Sequence, residues 1–206
     1  MIPTIIENIT EYLKENDIAL SKKNTDGRLN SAENESEILT LIQRKFKINI
    51  PRDREWFDFS VEENNDFYPV NIKVTDTLHA DNLSCKLGIY FALTGLLPDM
   101  PNEVSWENYF AKLHQNIKTH TDKDYYFLVI NKNNKDDIFS NSLKGLQEIV
   151  PNGNNLPFQC KWGINRTNVE RTHEQAKEFI LKTFGDSIKL RSKMYFDFKK
   201  YFPEYV

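Results

Sequence analysis

The chain has 206 residues, 39% of them hydrophobic, with 14 Phe, 9 Tyr and 3 Trp, 28% charged residues and a net charge of −3. This composition describes one globular domain with a sizeable core and excludes fibrous and low-complexity classes. The longest apolar runs fall far short of the roughly eighteen residues a membrane helix needs, and residues 1–20 lack the pattern of a secretory signal, so no membrane partner and a cytoplasmic location are expected.

Residues 3–16 are expected to form an amphipathic helix. Ile5, Ile6, Ile9, Tyr12 and Leu13 make its apolar stripe, and Thr4 and Glu7 stand at capping-box spacing. The stripe packs on its own domain or, as a dimerisation helix within residues 1–20, on a second copy. Ser21 to Asn30 is polar and reads as a loop. A second helix is expected from near Ser31 through Ile38, Leu39, Leu41, Ile42 and Phe46. Glu33, Glu35 and Glu37 then fall in its first two turns, where the helix dipole favours acids. Capping and solvation account for them; alternatively Glu35 faces the hairpin that follows.

That hairpin is the most informative stretch. Trp56 to Val61 alternates bulky apolar and polar residues, Glu62 to Asp66 is rich in turn formers, and Phe67 to Val74 returns. Asp58 stands between Phe57 and Phe59, inside an apolar strand. Asn71 and Lys73 share one face of the return strand. Six carboxylates crowd Asp53 to Asp66. Most are solvated loop charges, but a carboxylate, an amide and an ammonium on one hairpin face can hold a divalent cation and place a lysine beside a phosphate oxygen.

Asp81 and Asn82 read as the cap of a helix reaching about Leu93, ended by Gly95 and Pro98. Trp106 to Ile117 reads as another helix. Tyr125 to Ile130 has the strongest strand propensity in the chain and is expected to be central. Ile138 to Val150 mixes a strand end with a short helix. His114 and His120 read as surface histidines. Cys85 and Cys160 lack C-x-x-C spacing, so neither a zinc site nor a disulfide is expected. Asn152 to Trp162 is a Gly- and Asn-rich loop running into a strand. A long helix is expected from about Thr172 to Arg191 or beyond, opening after Arg171. Residues 161–206 carry ten Lys and Arg against six Asp and Glu, a net of +4, which leaves −7 on the rest.

Asp58 followed by Asn71-Ile72-Lys73 resembles the signature of the PD-(D/E)XK nuclease superfamily, and within it type II restriction endonucleases, with Asn where Asp or Glu is usual. The resemblance covers roughly residues 28 to 200. It implies an α/β fold with a mixed central β-sheet of about five strands flanked by helices. It also implies a single nuclease domain over 1–206, with DNA recognition and the C-terminal helix in 151–206. The implied activity is Mg²⁺-dependent cleavage of double-stranded DNA at a short, palindromic sequence by a homodimer. Asp58, Asn71, Lys73 and Glu35 are the candidate catalytic residues, with Asp58, Asn71 and the Ile72 backbone carbonyl as metal ligands. Asn154, Asn155, Gln159, Lys161, Arg166, Arg171 and Thr172 are the candidate DNA contacts. Asn and Gln suit adenine edges, and an arginine and a hydroxyl at a helix start suit phosphate. A structure-specific nuclease of the same fold, or a nuclease-like DNA-binding module with weakened catalysis, is the alternative.

Overall fold

The computed structural model describes all residues except 17, 19–26, 53, 54, 118 and 119, together with the side chains of residues 27–32. Most of the expected loop at Ser21 to Asn30, and Asp53 of the acidic crowd, therefore lie outside the described residues. Among the described residues, five α-helices, a mixed four-stranded sheet and a three-stranded antiparallel sheet make an α/β protein.

Helix α1 spans Thr4–Glu15. The expected capping box does not form, because the helix starts one residue earlier: Pro3 is the N-cap, and its carbonyl accepts from Ile6 and Glu7. Helix α2, Gly27–Gln43, begins before Ser31, which moves Glu33, Glu35 and Glu37 out of the first turn. Strands β1 (Phe59–Glu63) and β2 (Asp66–Thr75) form the expected hairpin. Its two turn residues, Asn64 and Asn65, have φ of 54° and 66°. Two left-handed residues in a row match the strand twist, and Asn tolerates that backbone region better than other non-glycine residues.

Asp81 and Asn82 cap no helix. They lie in strand β3 (Ala80–Leu83), and helix α3 (Lys86–Thr94) starts only after the N-cap Cys85. Gly95 ends it at φ 71°, as expected of a left-handed C-cap. Helix α4 is Trp106–Asn116, capped by Ser105. Strand β4 (Tyr126–Asn131) is buried at all six positions and pairs parallel to β2. Strand β5 (Ile138–Ser142) follows, then turns rather than the expected short helix. Strands β6 (Val150–Pro151) and β7 (Phe158–Lys161) join β3 in the second sheet. Helix α5 runs His173–Tyr201 behind a formed capping box of Thr172 and Gln175.

The first sheet has the order β1-β2-β4-β5 and is covered on both faces. Alternation along β2 sends Val70 and Ile72 into one core, with Ile6, Ile9 and Leu13 of α1 and Ile38 and Ile42 of α2. The α1 stripe is therefore used within its own chain. Phe127 and Val129 of β4 face the other core, with Leu87, Tyr109, Phe158, Trp162, Ile180 and Phe184. That core welds the second sheet and α5 to the first. Asn71 and Lys73 occupy the same face of β2 at its rim.

Candidate functional site

Strand register makes the site. Phe59 pairs with Val70, so Asp58 lies just ahead of β1, opposite Asn71, and its amide donates to the Val70 carbonyl at 2.9 Å. Backbone groups two residues apart on a strand point to the same neighbour. The N–H and carbonyl of Ile72 thus also turn toward β1, where β1 has not yet begun. The Ile72 N–H is met by a side chain instead: it donates to Oδ2 of Asp58 at 2.6 Å. A short bond from an amide to a carboxylate is among the stronger neutral-to-charged contacts. It fixes the carboxylate beside the Ile72 carbonyl.

Asn71 stands beside both Asp58 and the Tyr125 hydroxyl, where its amide favours the charged form of each. Tyr125 donates to the Trp56 carbonyl at 2.7 Å. Lys73 points along the same face. Its Nζ lies 3.4 Å from the Asn82 carbonyl and 3.8 Å from Oδ2 of Asp81. Trp162 Nε1 donates to that same Asp81 oxygen at 2.8 Å, so Asp81 is held in place to position the lysine.

Glu35 arrives from the opposite face. It stands one turn ahead of Ile38, which shares a core with Ile72, and β1 is the edge strand. The helix can therefore present Glu35 to Asp58 around the open end of β1. Burial first, and then the charge of Asp58, push the Glu35 carboxyl up to about 7, while Lys73 pulls it back. Asp58 is also raised, chiefly by burial, against the lowering effects of the Ile72 amide, Lys73 and Asn71. Two half-hidden carboxylates thus share one lysine. Among the described residues no group of three or more His, Cys, Asp or Glu forms a metal cluster. A hard divalent cation needs fewer: Mg²⁺ usually takes one or two carboxylates and keeps waters or phosphate oxygens for the rest. Asp58, Glu35 and the Ile72 carbonyl form an all-oxygen set with surplus negative charge, which fits such an ion. Asn71 flanks the set, and its amide favours the charged form of Asp58.

A cleft of about 370 Å³ opens beside Asn71, between Trp56, Trp106, Lys86 and Leu156 of the Asn-rich loop. Lys86 donates to the Val104 carbonyl at 3.0 Å and sits 4.8 Å from the Trp106 ring centre. Burial lowers its pKa.

The second sheet carries the loop to this cleft. Asn82 pairs with Gln159 on its outer face, and Ala80 with Lys161. Asn152 ties the face together, its Nδ2 donating to Asn82 Oδ1 at 2.9 Å and Gln159 Oε1 at 3.0 Å. Its Oδ1 accepts from the Asn154 and Asn155 amides at 3.0 and 3.1 Å, which leaves those two side chains pointing from an exposed turn. Asn154, Asn155, Gln159 and Lys161 are thus brought to the side of the catalytic candidates. Arg166, Arg171 and Thr172 are not. Arg166 is paired with Asp137 and stacks on Phe139. Arg171 donates to the carbonyls of Lys144 and Leu146 at 3.0 and 2.7 Å and lies 4.1 Å over Phe179. The Thr172 hydroxyl accepts from the Gln175 amide. Arg171 fastens the start of α5 to the domain, Arg166 ties the loop before it to Asp137, and Thr172 caps the helix.

Asp81, Asn82, Lys86, Tyr125 and Asn152 were not among the sequence candidates. Only the Asn-rich context of Asn152 signalled it; Asp81 and Asn82 depend on the pairing of β3 with β7 across some eighty residues, Tyr125 on the pairing of β4 with β2, and Lys86 on where α3 starts. No helix of the described residues is long and apolar enough to cross a membrane. The sequence matches no protein-family model and no curated protein.

Proposed function

We propose that the chain is a Mg²⁺-dependent endonuclease with a restriction-endonuclease-like fold, cutting double-stranded DNA at a short sequence. The observation that carries this reading is Asp58, bonded to the Ile72 amide at 2.6 Å and within electrostatic reach of both Lys73 and Glu35. Asp58 and Lys73 lie where β2 runs on past the start of β1. A bound divalent ion would be held by Asp58, Glu35 and the Ile72 carbonyl, and would supply polarisation of the phosphoryl oxygens and acidification of a water.

The chain's own groups do the rest. Lys73 offers an ammonium to a non-bridging phosphate oxygen or to the attacking water. The water oxygen bonds to phosphorus as the P–O3′ bond breaks, leaving a 5′-phosphate and a 3′-hydroxyl. The Ile72 amide keeps Asp58 oriented throughout. Asn154, Asn155, Gln159 and Lys161 face the duplex, and two copies of the chain serve its two strands.

A plasmid digest with Mg²⁺ tests this. The native chain should yield discrete fragments. Asp58→Ala and Lys73→Ala should each lower the rate at least a hundredfold, about 2.7 kcal/mol of transition-state stabilisation, with unchanged circular dichroism. Near-native cutting by either variant would remove the site.

A second reading draws on one contact. Lys73 leans toward Asp81, and Asn71 stands where a second acid is usual. These favour a DNA-binding module with weakened catalysis. Thermal stabilisation by Ca²⁺ and sequence-selective binding without fragments would mark that outcome. Cleavage of branched but not linear duplex would mark a structure-specific nuclease.

A further inference from the structure

The chain has three tryptophans. Trp162 is fully buried, whereas Trp56 and Trp106 are only partly buried, and both border the cleft of about 370 Å³ beside Asn71. Neither is a loose surface ring. Trp56 stacks on Tyr125, which also lines the cleft, with ring centres 5.8 Å apart and planes 28° apart, and it touches Phe57 and Phe91. Trp106 stacks on Phe110 at 5.7 Å and meets Phe184 edge-on. Leu156 of the Asn-rich loop adds an aliphatic wall. The volume falls in the roughly 300–1,000 Å³ range of small-ligand sites. Such a space admits one flat ring system and excludes a helix or a duplex.

Charge narrows the kind of ring. Among the described residues that line the cleft, only Glu55 and Lys86 are charged, and they balance. A phosphate calls for a surplus of cations. A neutral ring with polar edges calls for aromatic walls and a few donors and acceptors. Asn71 and Ser84 supply both kinds of group. An ammonium has three donors; the Val104 carbonyl takes one from Lys86 and the Trp106 ring engages another, which leaves one for an acceptor on the ring edge. The phosphate has its place next door. Lys73 lies two residues beyond Asn71 on the same face of β2, a rise of roughly 6–7 Å, which a single sugar can bridge.

We infer that this cleft takes one unpaired nucleobase, that of the nucleotide whose phosphate lies at Asp58 and Lys73. The placing of the phosphate rests on the proposed nuclease reading; the aromatic walls do not. A base drawn out of a duplex gives up its pairing and stacking, so a base that is already unpaired binds best. The indoles and Tyr125 restore the stacking, and the groups of Asn71, Ser84 and Lys86 meet the freed edge.

Fluorescence anisotropy of the full chain, with Ca²⁺ in place of Mg²⁺, tests this on three short duplexes of one arbitrary sequence. The first is fully paired, the second carries one unpaired adenine, and the third carries an abasic residue in place of that adenine. The adenine duplex should bind at least about fivefold tighter than either of the others, the lower end of what stacking one base contributes. Trp106→Ala should lose this gain and Trp106→Phe should keep most of it. Ser84→Phe fills the cleft from an exposed position on its rim, and should lose the gain with unchanged circular dichroism. Equal affinity for the three duplexes overturns the inference, as does a gain indifferent to Trp106→Ala and Ser84→Phe. Deoxyadenosine monophosphate that competes as well as the adenine duplex would make this a free-nucleotide site and overturn its placing in a strand. Cutting does not enter the readout. A chain that shows the gain but cuts no plasmid sinks the nuclease reading alone, and a chain that cuts without the gain sinks the cleft alone.

Discussion

At the scale of single residues, the question is how a chain tolerates Glu35 and Asp58 so close together. Both carboxyls are raised above their ordinary range, Glu35 from 4.5 to about 7. A raised acid binds more protons in the folded state than in the unfolded one. Its contribution to stability is therefore complete below about pH 4.5 and is lost as pH rises through about 7. After allowance for partial solvent access, the loss is about 1–3 kcal/mol. Urea unfolding at pH 5 and pH 8 should show it. Glu35→Gln should flatten this difference and leave the protein more stable than native at pH 8. Mg²⁺ or Ca²⁺ should stabilise the native chain more at pH 8 than at pH 5, and should do little for Glu35→Gln. An unchanged pH profile in the variant would remove Glu35 from the company of Asp58.

At the scale of elements, what could be read from the sequence was what local pattern encodes. The hairpin, β4, α4 and α5 follow from alternation, apolar faces and end signals such as Thr172, and the end of α3 from Gly95. Asp58, Asn71 and Lys73 were legible because one hairpin brings them together. Glu35 was legible only with the resemblance in hand, since nothing local distinguishes it from Glu33 or Glu37. β3 was misread because Asp81 and Asn82 are good caps, and only pairing with β7 makes them a strand. Likewise Arg171 reads as a phosphate ligand until its carbonyl partners fold in from the β5–β6 segment. The Asn-rich loop shows the same division of labour within one element. Asn152 builds the turn, whereas Asn154 and Asn155 have only their amides committed to it. Gly153 lets the loop touch α5: a Cβ there would stand 2.9 Å from the Arg191 nitrogen. Asn155→Ala should therefore weaken binding to the preferred sequence by roughly 1–3 kcal/mol and spare random DNA and melting temperature. Gly153→Val should displace the loop and lower affinity for both. Equal losses on both DNAs for Asn155→Ala, read by fluorescence anisotropy, would return that residue to the scaffold.

At the scale of the whole molecule, charge is divided between two jobs. The residues around the site are acidic, and the −7 outside residues 161–206 repels phosphate unless a cation is bound. On the proposed nuclease reading the +4 of residues 161–206 supplies the attraction, but its cations are not equally available. Arg166 is spent on Asp137, Arg171 on two carbonyls and the Phe179 ring, Arg191 on the loop. Lys161, exposed on the outer face of the second sheet next to Gln159, has no such commitment in β7. Each phosphate contact releases condensed counterions and adds about 0.9 to the slope of log affinity against log salt concentration. Lys161→Ala should therefore lower that slope by nearly one per chain, with equal effect on preferred and random duplexes, and should not alter the melting temperature. Arg171→Ala should do the reverse: it strips the carbonyl contacts that anchor α5, lowers the melting temperature, and leaves the slope where it was. Anisotropy titrations at several salt concentrations decide between them. A flattened slope for Arg171→Ala with native stability would mean that its guanidinium leaves Lys144 and Leu146 when DNA arrives, and that the phosphate-contacting surface extends round the start of α5.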